Sequence, residues 1–166
     1  MTHILNKYFD NIYMLYINDF ELDRGTYKML LNGINVEYFL GVDGKKELYE
    51  IFTENRPKTS MKTVGAFGHV HSVIKIMENA IEKKYKRILI LEPDIYLAIN
   101  FNAQIEKYLK MDYKLLYLGA SQHDWTYIDK NYDFLLKNGY YVAYNTCGTF
   151  AVAIDHSVFA EYLGIL

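Results

Sequence analysis

Apolar runs and helical periodicities alternate along this chain, and together they predict its elements. "IYMLYIN" (12–18) reads as a strand, and "ELDRGTYKMLLNG" (21–33) as a helix closed by Gly33. "VEYFLGVDG" (36–44) predicts a second strand that runs into a glycine-bracketed turn around Asp43. The polar stretch "TENRPKTSMKT" (53–63) has loop composition. In "GAFGHVHSVIKIMENAIEKKY" (65–85), Val70, Val73, Ile74, Met77, Ala80 and Ile81 recur every three or four residues. That is the longest helical signal, and Lys83, Lys84 and Lys86 suit its C-terminal dipole.

"RILILEPDIYL" (87–97) opens with four apolar residues without alternation, as in a strand covered on both faces. A helix around "AQIEKYLKM" (103–111) and a strand "KLLYLGA" (114–120) follow, then a loop or short helical excursion in "SQHDWTYIDKNYD" (121–133). "YYVAYN" (140–145) and "TFAVAI" (149–154) predict two more strands, and "HSVFAEYLGIL" (156–166) a last helix. Strands alternating with helices imply a three-layer α/β/α domain with a mostly parallel sheet. Ligands of such sheets sit beyond the carboxyl ends of the strands.

Composition narrows the function classes. The 166 residues suffice for a single domain spanning 1–166; 51% are hydrophobic and 23% charged, as in a globular protein. A net charge of −2, with both signs interspersed, predicts no nucleic-acid partner and no anionic membrane partner. The lone cysteine, Cys147, excludes an intramolecular disulfide and a cysteine-based zinc site. The N-terminal stretch lacks the pattern of a signal peptide, and no segment approaches membrane-spanning length, so a cytoplasmic location is expected. Oligomeric state is left open.

The candidate chemistry lies where the buried strand ends. Glu92 and Asp94 stand at i and i+2, so an extended backbone points both to one side. Two like charges repel unless something positive is shared, and a hard divalent cation is the natural neutraliser. Pro93 stiffens the turn between them. The competing reading is that both acids begin a solvated loop. A phosphoacceptor site fits poorly, because Asn18 and Asp19 make a weak acidic pair and no lysine follows the late strands.

Taken in order, these segments resemble glycosyltransferase family 25, the lipooligosaccharide and collagen-type sugar transferases of GT-A fold. "IYMLYINDFELDRGTYKMLLNGINVEYFLGVDG" is similar to the family's opening. "GAFGHVHSVIKIMENAIEKKYKRILILEPDIYL" resembles its central block, and "LLYLGA" and "GTFAVAI" its later strands. The resemblance implies a GT-A, Rossmann-like domain that binds a nucleotide sugar. It further implies transfer of a sugar from a UDP-linked donor to a hydroxyl of a glycan acceptor, with inversion. Glu92 and Asp94 occupy the positions of the D-x-D-type motif that holds Mn²⁺, or Mg²⁺, against the donor diphosphate.

By the same resemblance Asn18, Arg24, Asp43, Gly65 and Gly68 approach the nucleotide. Arg24 reads equally as a helix-surface charge and Asp43 as the stabiliser of its own turn. Ser72, one helical turn after Gly68, reads as a packing or exposed residue. Inversion needs a general base, for which Asp124 is the candidate, with His123 and Asp155 as competitors. Asp155 also fits an ordinary helix cap. His69 and His71, at i and i+2 on a helix, point to different faces, which argues against a shared metal. The chain ends soon after "GTFAVAI", where many family members continue. A non-catalytic nucleotide-sugar-binding or scaffold domain is therefore the alternative expectation.

Overall fold

The computed structural model describes residues 3–55, 62–122, 126, 130, 132–140, 142, 143 and 146–165. Its sheet is built from β1 (Asn11–Tyr16), β2 (Glu37–Leu40), β3 (Arg87–Leu91), β4 (Leu115–Gln122) and β5 (Thr146–Asp155), in the order β2-β1-β3-β5-β4. Helix α1 (Asp19–Asn32) links β1 to β2. Helices α2 (Gly44–Glu47), α3 (Tyr49–Asn55) and α4 (Val64–Glu82) lie between β2 and β3. Helix α5 (Phe101–Leu109) precedes β4, α6 (Tyr132–Asn138) precedes β5, and α7 (Phe159–Ile165) follows a 3-10 turn over His156–Val158.

The strands are apolar on both sides because both faces are covered. Ile12, Met14, Leu89, Leu91, Ala151 and Ala153 point to a core shared with Met29 of α1 and with Ile105 and Leu109 of α5. Their neighbours Tyr13, Leu15, Ile88, Ile90, Val152 and Ile154 point to a second core, closed by Val73, Ile76, Met77 and Ala80 of α4 and by Phe159. Three layers result, as the unbroken runs require.

The expected mostly parallel sheet is found, with one strand reversed. β1 pairs in parallel with β2 and with β3. β5 lies antiparallel between β3 and β4. The sheet is therefore mixed: four strands share one direction and the last is reversed. A strand buried on both faces reads as the same apolar run whichever way it points, so the pattern of "TFAVAI" could not encode direction. The expected strand over 140–145 is not seen among the described residues of that span. Residues 140, 142 and 143 are in neither strand nor helix, whereas β5 is one long strand beginning at Thr146.

Strand order also creates the crevice. The chain leaves β1 for β2 on one side and later enters β3 on the other, while α1 and α4 cover opposite faces. The ends of β1 and β3 thus form a topological switch point. Gly33 ends α1 in the left-handed conformation (φ 64°), and its N–H donates to the Leu30 carbonyl while that of Ile34 donates to Met29.

Candidate functional site

A cleft of about 400 Å³ opens at this switch point. Its floor is the end of β1 (Leu15, Tyr16 and Ile17) and the Glu92–Pro93–Asp94 segment that follows β3. Glu21 and Arg24 of α1 form one wall. Asp43, Gly44 and Lys45, with Gly65, His69 and Ser72 of α4, complete the lining.

Helix α1 is delivered here by a tight start. Asn18 caps it, accepting from the Glu21 N–H at 2.9 Å, and the Glu21 carboxylate reaches back to accept from the Ile17 N–H at 2.9 Å. This reciprocal arrangement is close to a capping box. It accounts for Asn18 structurally, and Asn18 does not line the cleft. One turn in, Gly25 lies where a Cβ would collide with the Met14 side chain and come within 3.1 Å of Pro93. The glycine therefore lets α1 settle against β1 and the acidic segment together.

Two basic residues one helical turn apart on α1 hold the segment after β3. Arg24 Nη2 lies 4.0 Å from Asp94 Oδ2. Lys28 Nζ donates to the Ile95 carbonyl at 3.1 Å and sits 3.6 Å from the centre of the Tyr96 ring. The Nε of Arg24 is buried without a hydrogen-bond partner, an arrangement that favours an additional acceptor. On the other side of the acids, the Glu92 N–H donates to the Phe150 carbonyl at 2.9 Å, tying the segment to β5.

The opposite wall depends on backbone-to-backbone packing. A Cβ at Gly68 would stand 2.6 Å from the Gly44 nitrogen and 2.7 Å from the Val42 oxygen. Ser72 is buried; its hydroxyl donates to the Gly68 carbonyl and accepts from the Val42 N–H, each at 2.8 Å. Gly68 and Ser72 thus anchor the loop after β2 against α4, and the approach made by Gly68 is to the Gly44 loop. Gly65 differs, since a Cβ there would meet nothing within 4 Å. It leaves the first turn of α4 open to the cleft. Asp43 caps α2, accepting from the Lys45 and Lys46 N–H groups at 3.1 and 3.4 Å, and faces Lys46 Nζ at 3.4 Å. Its carboxylate stabilises its own turn on the cleft rim.

His69 lines the cleft, and burial pushes its imidazole below the ordinary value. His71 instead packs edge-on to Phe67, with ring centres 4.6 Å apart, so the two histidines do diverge. Asp155 lies at the far end of the sheet. It is in register with Arg87 at the start of β3, pairs with the Arg87 guanidinium at 3.3 Å, and caps the turn at Ser157. Asp155 is therefore structural. His123 and Asp124 fall outside the described residues.

The donor set can be tested against a metal. Among the described residues there is no cluster of three or more histidine, cysteine, aspartate or glutamate side chains able to hold an ion. Two carboxylates in one cleft fit a hard divalent cation that completes its shell with phosphate oxygens and water. They do not fit an all-protein cage.

The cleft and the acidic segment fall inside one recognisable span. The sequence profile of glycosyltransferase family 25 (LPS biosynthesis protein) matches residues 15–156. The chain belongs to glycosyltransferase family 25. A search among curated proteins found no match. The matched span of this family 25 chain runs from the end of β1 to just past β5 and so contains every cleft residue named above. Among the described residues, no helix is long and apolar enough to cross a membrane.

Sequence reasoning missed one cleft residue, His69, and one residue that holds the segment beside the cleft, Lys28. The i, i+2 spacing of His69 and His71 speaks only against a shared metal, and a single histidine can still line a site. Lys28 carried a usable signal: it lies four residues after Arg24, hence on the same helical face.

Proposed function

We propose that this family 25 transferase moves a sugar from a UDP-linked donor to a hydroxyl of a glycan acceptor, with inversion, using Mn²⁺ or Mg²⁺. One observation carries the reading: Glu92 and Asp94 share a switch-point cleft with Arg24 and the open first turn of α4 at Gly65. Cationic and N–H-rich walls suit phosphate, and paired acids suit the metal that accompanies it. When bound, the metal supplies charge neutralisation at the departing diphosphate. Arg24 has a guanidinium with a buried, unpartnered Nε, suited to the same oxygens.

In the transfer, the acceptor oxygen forms a bond to the anomeric carbon from the face opposite the diphosphate. The bond from that carbon to the diphosphate oxygen breaks, and the electron pair leaves with UDP. The hydroxyl proton passes to a general base, for which Asp124, two residues after the end of β4, is the choice.

Release of free UDP from a panel of UDP-sugars tests the reading. The expected result is release from one donor with Mn²⁺, lost in Asp94→Ala. UDP binding without release from any donor, slow hydrolysis included, fits a non-catalytic nucleotide-sugar-binding module instead. Absence of UDP binding overturns both.

A further inference from the structure

A second cleft, of about 440 Å³, borders the first at Asp94, which alone among the described residues lines both. It extends the other way across the sheet, from the end of β3 over the middle of β5 and β4, and has a different chemistry. Ile95, Leu97, Phe101, Leu118 and Phe150 wall it, and Asp94 is the only charged residue among its described lining. The ladder between β4 and β5 shifts register on either side of Gly119, which also lines the cleft. Irregular pairing of this kind leaves backbone groups available next to a site.

We propose that this cleft takes an apolar group, an aryl or short alkyl aglycone, carried by the acceptor. The inference rests on the transferase reading above and adds the acceptor class to it. Three features support it. The volume falls in the range of small-molecule pockets. The cleft continues the donor cleft through Asp94, so a group lodged in it has its polar end where the two meet. The walls disfavour a ligand hydroxylated all round, because each hydroxyl set against Leu97, Leu118 or Phe150 loses water without gaining a partner. An aryl or alkyl group loses nothing there and gains by burying apolar surface. Ala98 lies on the loop side of the cleft and is exposed, so a larger side chain there can fill the space without entering the core.

The test compares phenyl and methyl β-glycosides of glucose and galactose by saturation-transfer NMR and titration on the full chain, native and Ala98→Phe. The thermal shift given by UDP with Mn²⁺ is read in parallel. The expected result is at least about ten-fold tighter binding of a phenyl than of the matching methyl glycoside. That preference should fall to about one-fold in Ala98→Phe, with the UDP shift retained. Equal binding of the two glycosides by the native chain overturns the proposal, as does a phenyl preference that survives Ala98→Phe. Phenyl preference lost in the variant, with no UDP shift in either protein, sinks the transferase reading and leaves the apolar ligand class standing. If Ala98→Phe fails to fold, Leu97→Ser serves the same comparison by removing apolar wall, and an unchanged preference there overturns the proposal.

Discussion

Arg24 Nη2 stands 4.0 Å from Asp94 Oδ2, joining the second turn of α1 to the acidic segment after β3. The two side chains are 38% and 54% exposed. A pair this open contributes little to stability, between nothing and about 1 kcal/mol. Its position matters more, since it sets a guanidinium beside the carboxylates proposed to hold a cation.

Arg24→Met should therefore leave the denaturant midpoint nearly unchanged while weakening UDP binding about ten-fold or more, the loss expected for a charge-assisted hydrogen bond. It should also strengthen Mn²⁺ binding in the absence of nucleotide, because a competing cation has been removed from Asp94. Calorimetric titrations of UDP and of Mn²⁺ separately read both effects. Weaker binding of both would show that Arg24 merely supports the fold of the segment.

Asp94→Asn and Glu92→Gln test the acids themselves. Asp94 is exposed and faces Arg24 only at 4.0 Å, so Asp94→Asn should stay within about 0.5 kcal/mol of the native chain in stability. The thermal stabilisation given by UDP with Mn²⁺ should disappear in each variant, and chelation should abolish it in the native chain. Stabilisation by UDP that persists under chelation would remove the metal from the proposal.

The two glycines that open the α4 motif should behave oppositely. Gly68→Ala forces a Cβ against the backbone of Gly44 and Val42, which cannot swing aside as a side chain would. A loss of about 1–3 kcal/mol is expected. Gly65→Ala adds a methyl group to open space inside a helix, where alanine is favoured over glycine by about 0.5–1 kcal/mol. Urea unfolding of the two variants distinguishes them directly. Equal losses would mean that Gly65 has a packing role not seen in its surroundings.

That contrast shows how far the sequence could be read. Both glycines looked alike as letters in "GAFG", and only the Gly44 loop, brought in from another element, separates them. The layers were legible because the runs of β1 and β3 and the periodicity of α4 are local patterns with one structural reading each. The reversal of β5 was not, because an apolar run buried on both faces reads the same whichever way it points. The convergence of Glu92, Asp94, Arg24, Asp43 and Gly65 on one cleft followed from the strand-end rule and from the family resemblance. The job of Asp43 as stabiliser of its own turn was legible in its residue type, whereas the capping by Asn18 emerged only in the structure. Lys28 and His69 were passed over because their roles depend on tertiary neighbours.

The histidines supply a pH test. Burial pushes His69 below the ordinary histidine pKa, and burial does the same to His3, whose Nδ1 accepts the Leu5 N–H at 3.3 Å. In each case the folded chain takes up a proton less readily than the unfolded chain. Between the lowered value and the ordinary one of about 6.5, the unfolded state binds more protons, so stability rises with pH. The contribution is fully present above that ordinary value and is lost as pH falls from it through the folded pKa. Urea midpoints measured from pH 8 to 5.5 should therefore decline below about 6.5, by no more than about 1.4 kcal/mol per pH unit for each histidine. His69→Gln should remove one share of this slope, and His3→Asn, which keeps a cap acceptor, the other. A slope unchanged in both variants would assign the acid sensitivity to other groups.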